Sequence, residues 1–197
     1  MKHNEWLEKY KSRADITSRL THLTRGGTDK EAFDILCKIL DEQCLKAGKG
    51  YICGERNACC FQEAPVFSIA ENLKYQEELG KNRYSPFGIR VLKEDIYKKG
   101  GRPVFYGKTE EYKEILDKTE HWRIVDLELD KPEYKVDWTH EREWRLPSDF
   151  KFKYDQIEII LPDSVYYKEF VTWCVDKKHI NVLKEIRGIV TLDSLIA

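Results

Sequence analysis

Trp138-Thr139-His140-Glu141-Arg142-Glu143-Trp144-Arg145 packs two acids, two arginines, a histidine and two tryptophans into one short run. Read as a strand, it alternates between faces, so Glu141 and Glu143 point one way and Arg142 and Trp144 the other. The Cα atoms of i and i+2 lie roughly 7 Å apart on a strand, which lets both carboxylates address one sugar. Such a pair can steady an oxocarbenium-like centre and orient a hydroxyl, as cleavage of a glycosidic C–N or C–O bond requires. The plainer reading stands beside it: a surface strand whose acids form salt bridges with Arg142 and Arg145. The flanking tryptophans favour burial or a cleft.

Around this run the chain mixes short strands and helices. Asn4 to about Ala14 reads as an amphipathic helix, and Leu20 to Thr24 as a strand broken by Gly26-Gly27. Thr28-Asp29-Lys30-Glu31 is a capping box. It opens a helix carrying Phe33, Leu36, Cys37, Leu40, Cys44 and Leu45, which Gly48 is placed to stop. Tyr51-Ile52-Cys53 and Ala58-Cys59-Cys60-Phe61 read as short strands. Pro65 opens a further helix that Gly80 ends. Phe87 to Val91 and Pro103 to Tyr106 read as strands on either side of a short helix over Glu94–Lys99. Thr109 caps a helix with Tyr112, Ile115 and Leu116, and Arg123 to Leu129 alternates. Ile157–Leu161 is a strand, Ser164 to Lys178 a helix, and Ile189–Leu192 a last short unit. No βαβ rhythm, linker or internal repeat emerges. The expectation is a single α+β domain over residues 1–197 with a mixed, largely antiparallel sheet.

At 41% hydrophobic and 35% charged residues, the composition is that of a globular protein with a highly charged surface. The net charge of −1 supplies no global field for nucleic acid or an anionic membrane. Lys93, Lys98, Lys99, Arg102 and Lys108 could form a local basic face, but Glu94, Asp95, Glu110 and Glu111 interrupt it. The N-terminus lacks an apolar signal region and no apolar run spans a bilayer, so a cytoplasmic location without membrane contact is expected. The six cysteines are then reduced thiols, mostly buried as small hydrophobes. A zinc site from Cys53, Cys59, Cys60 and a histidine is the minor alternative, since no C-x-x-C pair exists. No glycine-rich phosphate loop and no helical histidine pair is present, and no metal is assigned.

Two further groups carry chemistry. In Leu20-Thr21-His22-Leu23-Thr24-Arg25, a strand-borne histidine flanked by hydroxyls can hydrogen-bond a ribose or an amide; an edge-strand polar patch is its plainer counterpart. Arg102 and Tyr106, on either side of Pro103-Val104-Phe105, can grip a phosphate and stack a ring; the counterpart is a turn and strand with a packed tyrosine.

Four segments occur in a telling order: Cys60-Phe61-Gln62-Glu63-Ala64-Pro65, Tyr84-Ser85-Pro86-Phe87-Gly88-Ile89, Gly101-Arg102-Pro103-Val104-Phe105-Tyr106, and the run from Trp138 to Arg145. This order resembles the ADP-ribosyltransferase-like proteins of bacterial toxin and phage-defence systems, in particular AbiGi-like abortive-infection families and DarT-like nucleic-acid ADP-ribosyltransferases. The resemblance spans about residues 20–162; its last motif is the specific one, and the others gain weight from their order.

It implies an ADP-ribosyltransferase-like fold that takes NAD as a substrate, without a metal, and passes ADP-ribose to a nucleic acid or protein. A cognate toxin or antitoxin protein would be a further partner. By similarity His22 and Thr24 contact NAD, Glu143 binds the nicotinamide ribose and stabilises the oxocarbenium, and Glu141 helps position the acceptor. The chain departs from DarT-like proteins in having Gln62 and Glu63 where those carry an arginine. The NAD phosphate contact then falls to Arg25, Arg56 or Arg102, or is missing. In the latter case the same fold serves as a degenerate nucleotide- or partner-binding module. A nuclease reading lacks an acid cluster for metal.

Overall fold

The structure is a computed structural model that describes residues 3–80, 83–176 and 179–196. The first half runs α1 (His3–Lys11), β1 (Arg19–Leu23), α2 (Asp29–Glu42), β2 (Cys44–Leu45), β3 (Cys59–Gln62), α3 (Val66–Glu78), β4 (Gly88–Leu92) and α4 (Lys93–Lys98). Next come β5 (Arg102–Pro103), β6 (Phe105–Gly107), α5 (Thr109–Ile115), β7 (Ile124–Asp126), β8 (Glu143–Leu146) and β9 (Phe150–Lys151). The chain closes with β10 (Ile157–Leu161), α6 (Ser164–Asp176), α7 (Ile180–Glu185) and β11 (Gly188–Thr191).

Seven strands form one sheet in the order β11-β10-β4-β1-β3-β8-β5. All neighbours are antiparallel except β10 and β11. The class is therefore α+β with a mixed, mostly antiparallel sheet flanked by helices. The pairs β2–β9 and β6–β7 stand apart from it.

Strand alternation sends Leu20, Ile89 and Ile159 into a large apolar cluster with Phe33 and Leu36 of α2 and Phe170 of α6. Leu23 and Ile160 join a smaller one with Ile69 and Ala70 of α3. Each large apolar side chain buried in this way contributes about 1.5–3 kcal/mol.

Helix α2 begins as its sequence dictates: Thr28 Oγ1 accepts the Glu31 N–H at 3.2 Å, and the Glu31 carboxylate accepts the Gly27 N–H at 2.8 Å. It stops earlier than Gly48. Gln43 takes the left-handed conformation at φ 46° and donates its N–H to Ile39 and Leu40 carbonyls. Cys44 is therefore on a strand, not on the helix with Cys37, and it pairs with Lys151. Cys37, Cys44, Cys59 and Cys174 are buried, while Cys53 and Cys60 are partly exposed. The expected strand at Tyr51–Cys53 does not form: Tyr51 lies in a turn, and Ile52 and Cys53 are irregular. The expected strand through Pro103–Tyr106 is cut in two, β5 joining the main sheet and β6 pairing with β7.

The sheet is continuous on one side of β1 and split on the other. Strand β1 pairs with β4 over five positions, Arg19↔Leu92 to Leu23↔Gly88. The approach is so close that a Cβ on Gly88 would lie 2.0 Å from the His22 carbonyl oxygen. Towards β3 the ladder holds a single pair, Thr21↔Gln62. Strand β3 then pairs with β8 from Cys59↔Leu146 to Gln62↔Glu143.

Among the described residues no helix is long and apolar enough to cross a membrane.

Candidate active site at the split in the sheet

His22 sits beside the split and stitches it. Its Nδ1 lies 2.8 Å from the Cys60 carbonyl oxygen. A carbonyl only accepts, so Nδ1 carries the hydrogen and Nε2 is left as an acceptor in the neutral ring. Burial pushes the His22 pKa down, which favours that neutral form. Two residues on, Thr24 is buried, and its hydroxyl donates toward the Phe87 oxygen at 3.2 Å and the Ala32 oxygen at 3.4 Å. Thr24 thereby ties the end of β1 to β4 and α2. Arg25 is exposed and places its guanidinium 4.9 Å from the Tyr84 ring centre.

The two acids meet by a different route from simple alternation. Residues Thr139–Glu141 form a 3-10 turn, and Arg142 adopts the left-handed conformation at φ 47°. That conformation costs an ordinary residue about 1–2 kcal/mol. The turn is held because the Glu63 N–H donates to the carbonyls of Glu141 at 3.1 Å and Arg142 at 3.2 Å. The Arg142 side chain leaves the site and donates to the Asp15 carbonyl at 2.5 Å. The strand begins only at Glu143, so the two acids do not share one strand as alternation predicts. Both acids nevertheless line one cavity.

Glu143 is fixed from two directions. Arg145, two residues along β8, donates to its carboxylate at 2.8 Å and 3.3 Å, and Arg145 also donates to the Trp122 and Ile124 carbonyls. The backbone N–H of Glu143 donates to the Tyr106 hydroxyl oxygen at 2.7 Å. Burial raises the Tyr106 pKa to about 12. Glu141 is 5% exposed. It accepts from the Tyr84 hydroxyl at 3.3 and 3.4 Å and meets the Arg83 guanidinium at 3.8 Å. Its pKa is raised: burial pushes it up most, Arg83 pulls it down, and Glu143 pushes it up. Tyr84 is pushed up to about 12, first by burial and then by Glu141.

These groups surround one cavity of about 480 Å³ at the split, lined by Thr21, His22, Thr24, Arg25, Cys60, Gln62, Arg83, Tyr84, Glu141, Glu143 and Arg145, among others. Scans against protein-family models, curated proteins and solved structures found no match to this chain.

Five of the seven residues singled out in the sequence line this cavity: His22, Thr24, Arg25, Glu141 and Glu143. Tyr106 stands behind it and supports the Glu143 backbone rather than offering its ring. Arg102 is elsewhere: its guanidinium stacks 4.0 Å above Tyr97 and donates to the Tyr97 and Gly101 carbonyls. Arg56 does not line the cavity either. Of the three arginines weighed for a phosphate contact, Arg25 is the one at the cavity.

Arg83 and Arg145 escaped the sequence reading as site residues. Arg83 lies 3.8 Å from the Trp138 ring centre and 5.4 Å from that of Tyr84, so its partners are scattered along the chain. Arg145 had a signal, the i, i+2 spacing from Glu143, and its ion pair is the one the plainer reading expects, whereas Arg142 turns away to Asp15. Among the described residues no group of three or more His, Cys, Asp or Glu side chains is placed to hold a metal ion.

Proposed function

We propose that this chain is an ADP-ribosyltransferase-like protein that cleaves NAD and transfers ADP-ribose to a nucleic acid or protein. Its setting would be phage defence or a toxin–antitoxin pair. The observation that carries the reading is the gathering of His22, Thr24, Arg25, Glu141 and Glu143 around one cavity at the split in the sheet.

The proposed reaction breaks the C1′–N bond of the nicotinamide ribose. The bonding pair leaves with nicotinamide, and the sugar becomes an oxocarbenium cation. Glu143 is the anion that faces it, oriented by Arg145 and by its own backbone bond to Tyr106. His22 is pre-set to accept a ribose hydroxyl or amide hydrogen on Nε2. The acceptor nucleophile then bonds to C1′ and loses a proton. Glu141 receives it, and its raised pKa suits a base working nearer neutrality than an ordinary carboxylate.

The test is nicotinamide release from NAD in the presence of candidate nucleic-acid and protein acceptors, compared between the wild-type protein and Glu143→Gln. Loss of about 10²-fold or more in the variant is expected; equal release by both proteins would sink the assignment of Glu143.

A second reading is a nucleotide- or partner-binding module of the same fold. The Arg145–Glu143 ion pair favours it, because that guanidinium already counters the charge an oxocarbenium would need. NAD affinity without nicotinamide release would select it.

A further inference from the structure

The cavity carries a second set of lining groups that the proposed chemistry does not use. Ile35, Lys38 and Ile39 of α2 have the i, i+3, i+4 spacing of one helix face. Lys46, Tyr51 and Ile52 come from the segment between β2 and β3.

That segment is a built loop. Gly48 and Ala58 exchange both backbone hydrogen bonds, at 3.1 and 3.0 Å, and close its base. The Ile52 N–H donates to the Lys49 carbonyl at 2.8 Å, making a tight turn in which Gly50 has φ +41°. Ile52 is buried with Ala58 and Trp122, which anchors the tip. Its neighbour Tyr51 is left 84% exposed, a flat aromatic surface on a fixed support at the cavity.

The lysines are loosely committed. Lys38 meets Glu42 at 3.9 Å, and Lys46 meets Glu42 at 3.9 Å and Asp149 at 3.6 Å. All three separations exceed hydrogen-bond reach. Glu42 lines the same wall and offsets one of the two ammonium charges, which leaves the group cationic; with the aromatic ring and the apolar side chains it suits a planar base bearing a phosphate.

We infer that this wall is the adenosine-phosphate subsite of the cavity, with Tyr51, Ile35 and Ile39 holding the adenine ring and Lys38 and Lys46 the phosphates. The inference rests on reading the cavity as an NAD site. It would supply the cationic contact that Gln62 and Glu63 do not provide at their own positions.

The experiment is titration calorimetry with AMP, adenosine and nicotinamide mononucleotide. The proteins are wild type, Tyr51→Ala and the double variant Lys38→Ala/Lys46→Ala; all three side chains are exposed, so the fold is retained. Removing the stacking ring is expected to weaken AMP about tenfold and to leave nicotinamide mononucleotide unchanged. The wild type is expected to prefer AMP to adenosine, and the double variant to lose that preference. Equal AMP affinity in wild type and Tyr51→Ala overturns the subsite, as does a wild type that binds nicotinamide mononucleotide but not AMP. AMP binding as described without NAD cleavage keeps the subsite and removes the transferase. NAD cleavage with Tyr51→Ala unchanged in AMP binding does the reverse.

Discussion

Two charged clusters sit on the one sheet with opposite imbalances. On the continuous side, one carboxylate faces two arginines: Glu158 on β10 is 2.8 Å from both the Arg19 and Arg90 guanidiniums. Nitrogens of both arginines, Arg19 Nη1 and Arg90 Nε, are buried without a partner. At the split, two carboxylates face one well-buried arginine, since Glu143 pairs with Arg145 while Glu141 has only the longer contact to the partly exposed Arg83. The first arrangement clasps neighbouring strands and leaves cation to spare. The second leaves anion to spare beside a cavity. The imbalance, more than the number of charges, separates a structural clasp from a place suited to a positively charged intermediate.

The clasp depends on one shared carboxylate. Glu158→Ala strands two largely buried guanidiniums, and a loss of about 3–5 kcal/mol in unfolding free energy is expected. Denaturant titration measures it, and an unchanged midpoint would make the clasp decorative. Arg145→Met is expected to cost somewhat less, about 3 kcal/mol, by leaving Glu143 buried and unpaired. Adding Glu143→Gln to that variant should recover most of the loss. A double variant no more stable than the single one would show that Arg145 acts through its bonds to Trp122 and Ile124 instead.

The smallest effect is also the most diagnostic of the spare anion. Glu141 has a raised pKa in the folded state. Above the ordinary glutamate range the unfolded chain ionises first, so Glu141 subtracts stability as pH rises through the interval up to its folded value. Below both values it subtracts nothing. Glu141→Gln has no such titration. The melting temperature of the variant minus that of the wild type should therefore be more positive at pH 7 than at pH 4; an identical difference at both would remove the burial argument.

Sequence patterning conveyed local structure better than it conveyed the site. Helix α2 was readable because Thr28, Glu31 and the apolar face of Phe33, Leu36 and Leu40 all act within the element. Its end is hidden because Gln43, not a glycine, takes the left-handed turn. Alternation predicts both acids on one strand, whereas Arg142 bends the chain between them. Nothing local announces a non-glycine residue at positive φ, since Glu63 pins that turn from far away in sequence. Arg102 was misplaced for a similar reason. Its surroundings suited a phosphate, but Tyr97, five residues back, already occupies its guanidinium face.

The single residue pair joining β1 to β3 has a mechanical consequence. Strands β1 and β3 resemble the two panels of a zip caught by one tooth, Thr21↔Gln62, with the His22 ring as a pin just past it. Beyond that pin the two panels share little backbone bonding, and whatever fills the gap touches both. An occupant should therefore act as a brace, slowing amide exchange along β1 and β3 while leaving the β4–β10 ladder as rigid as before.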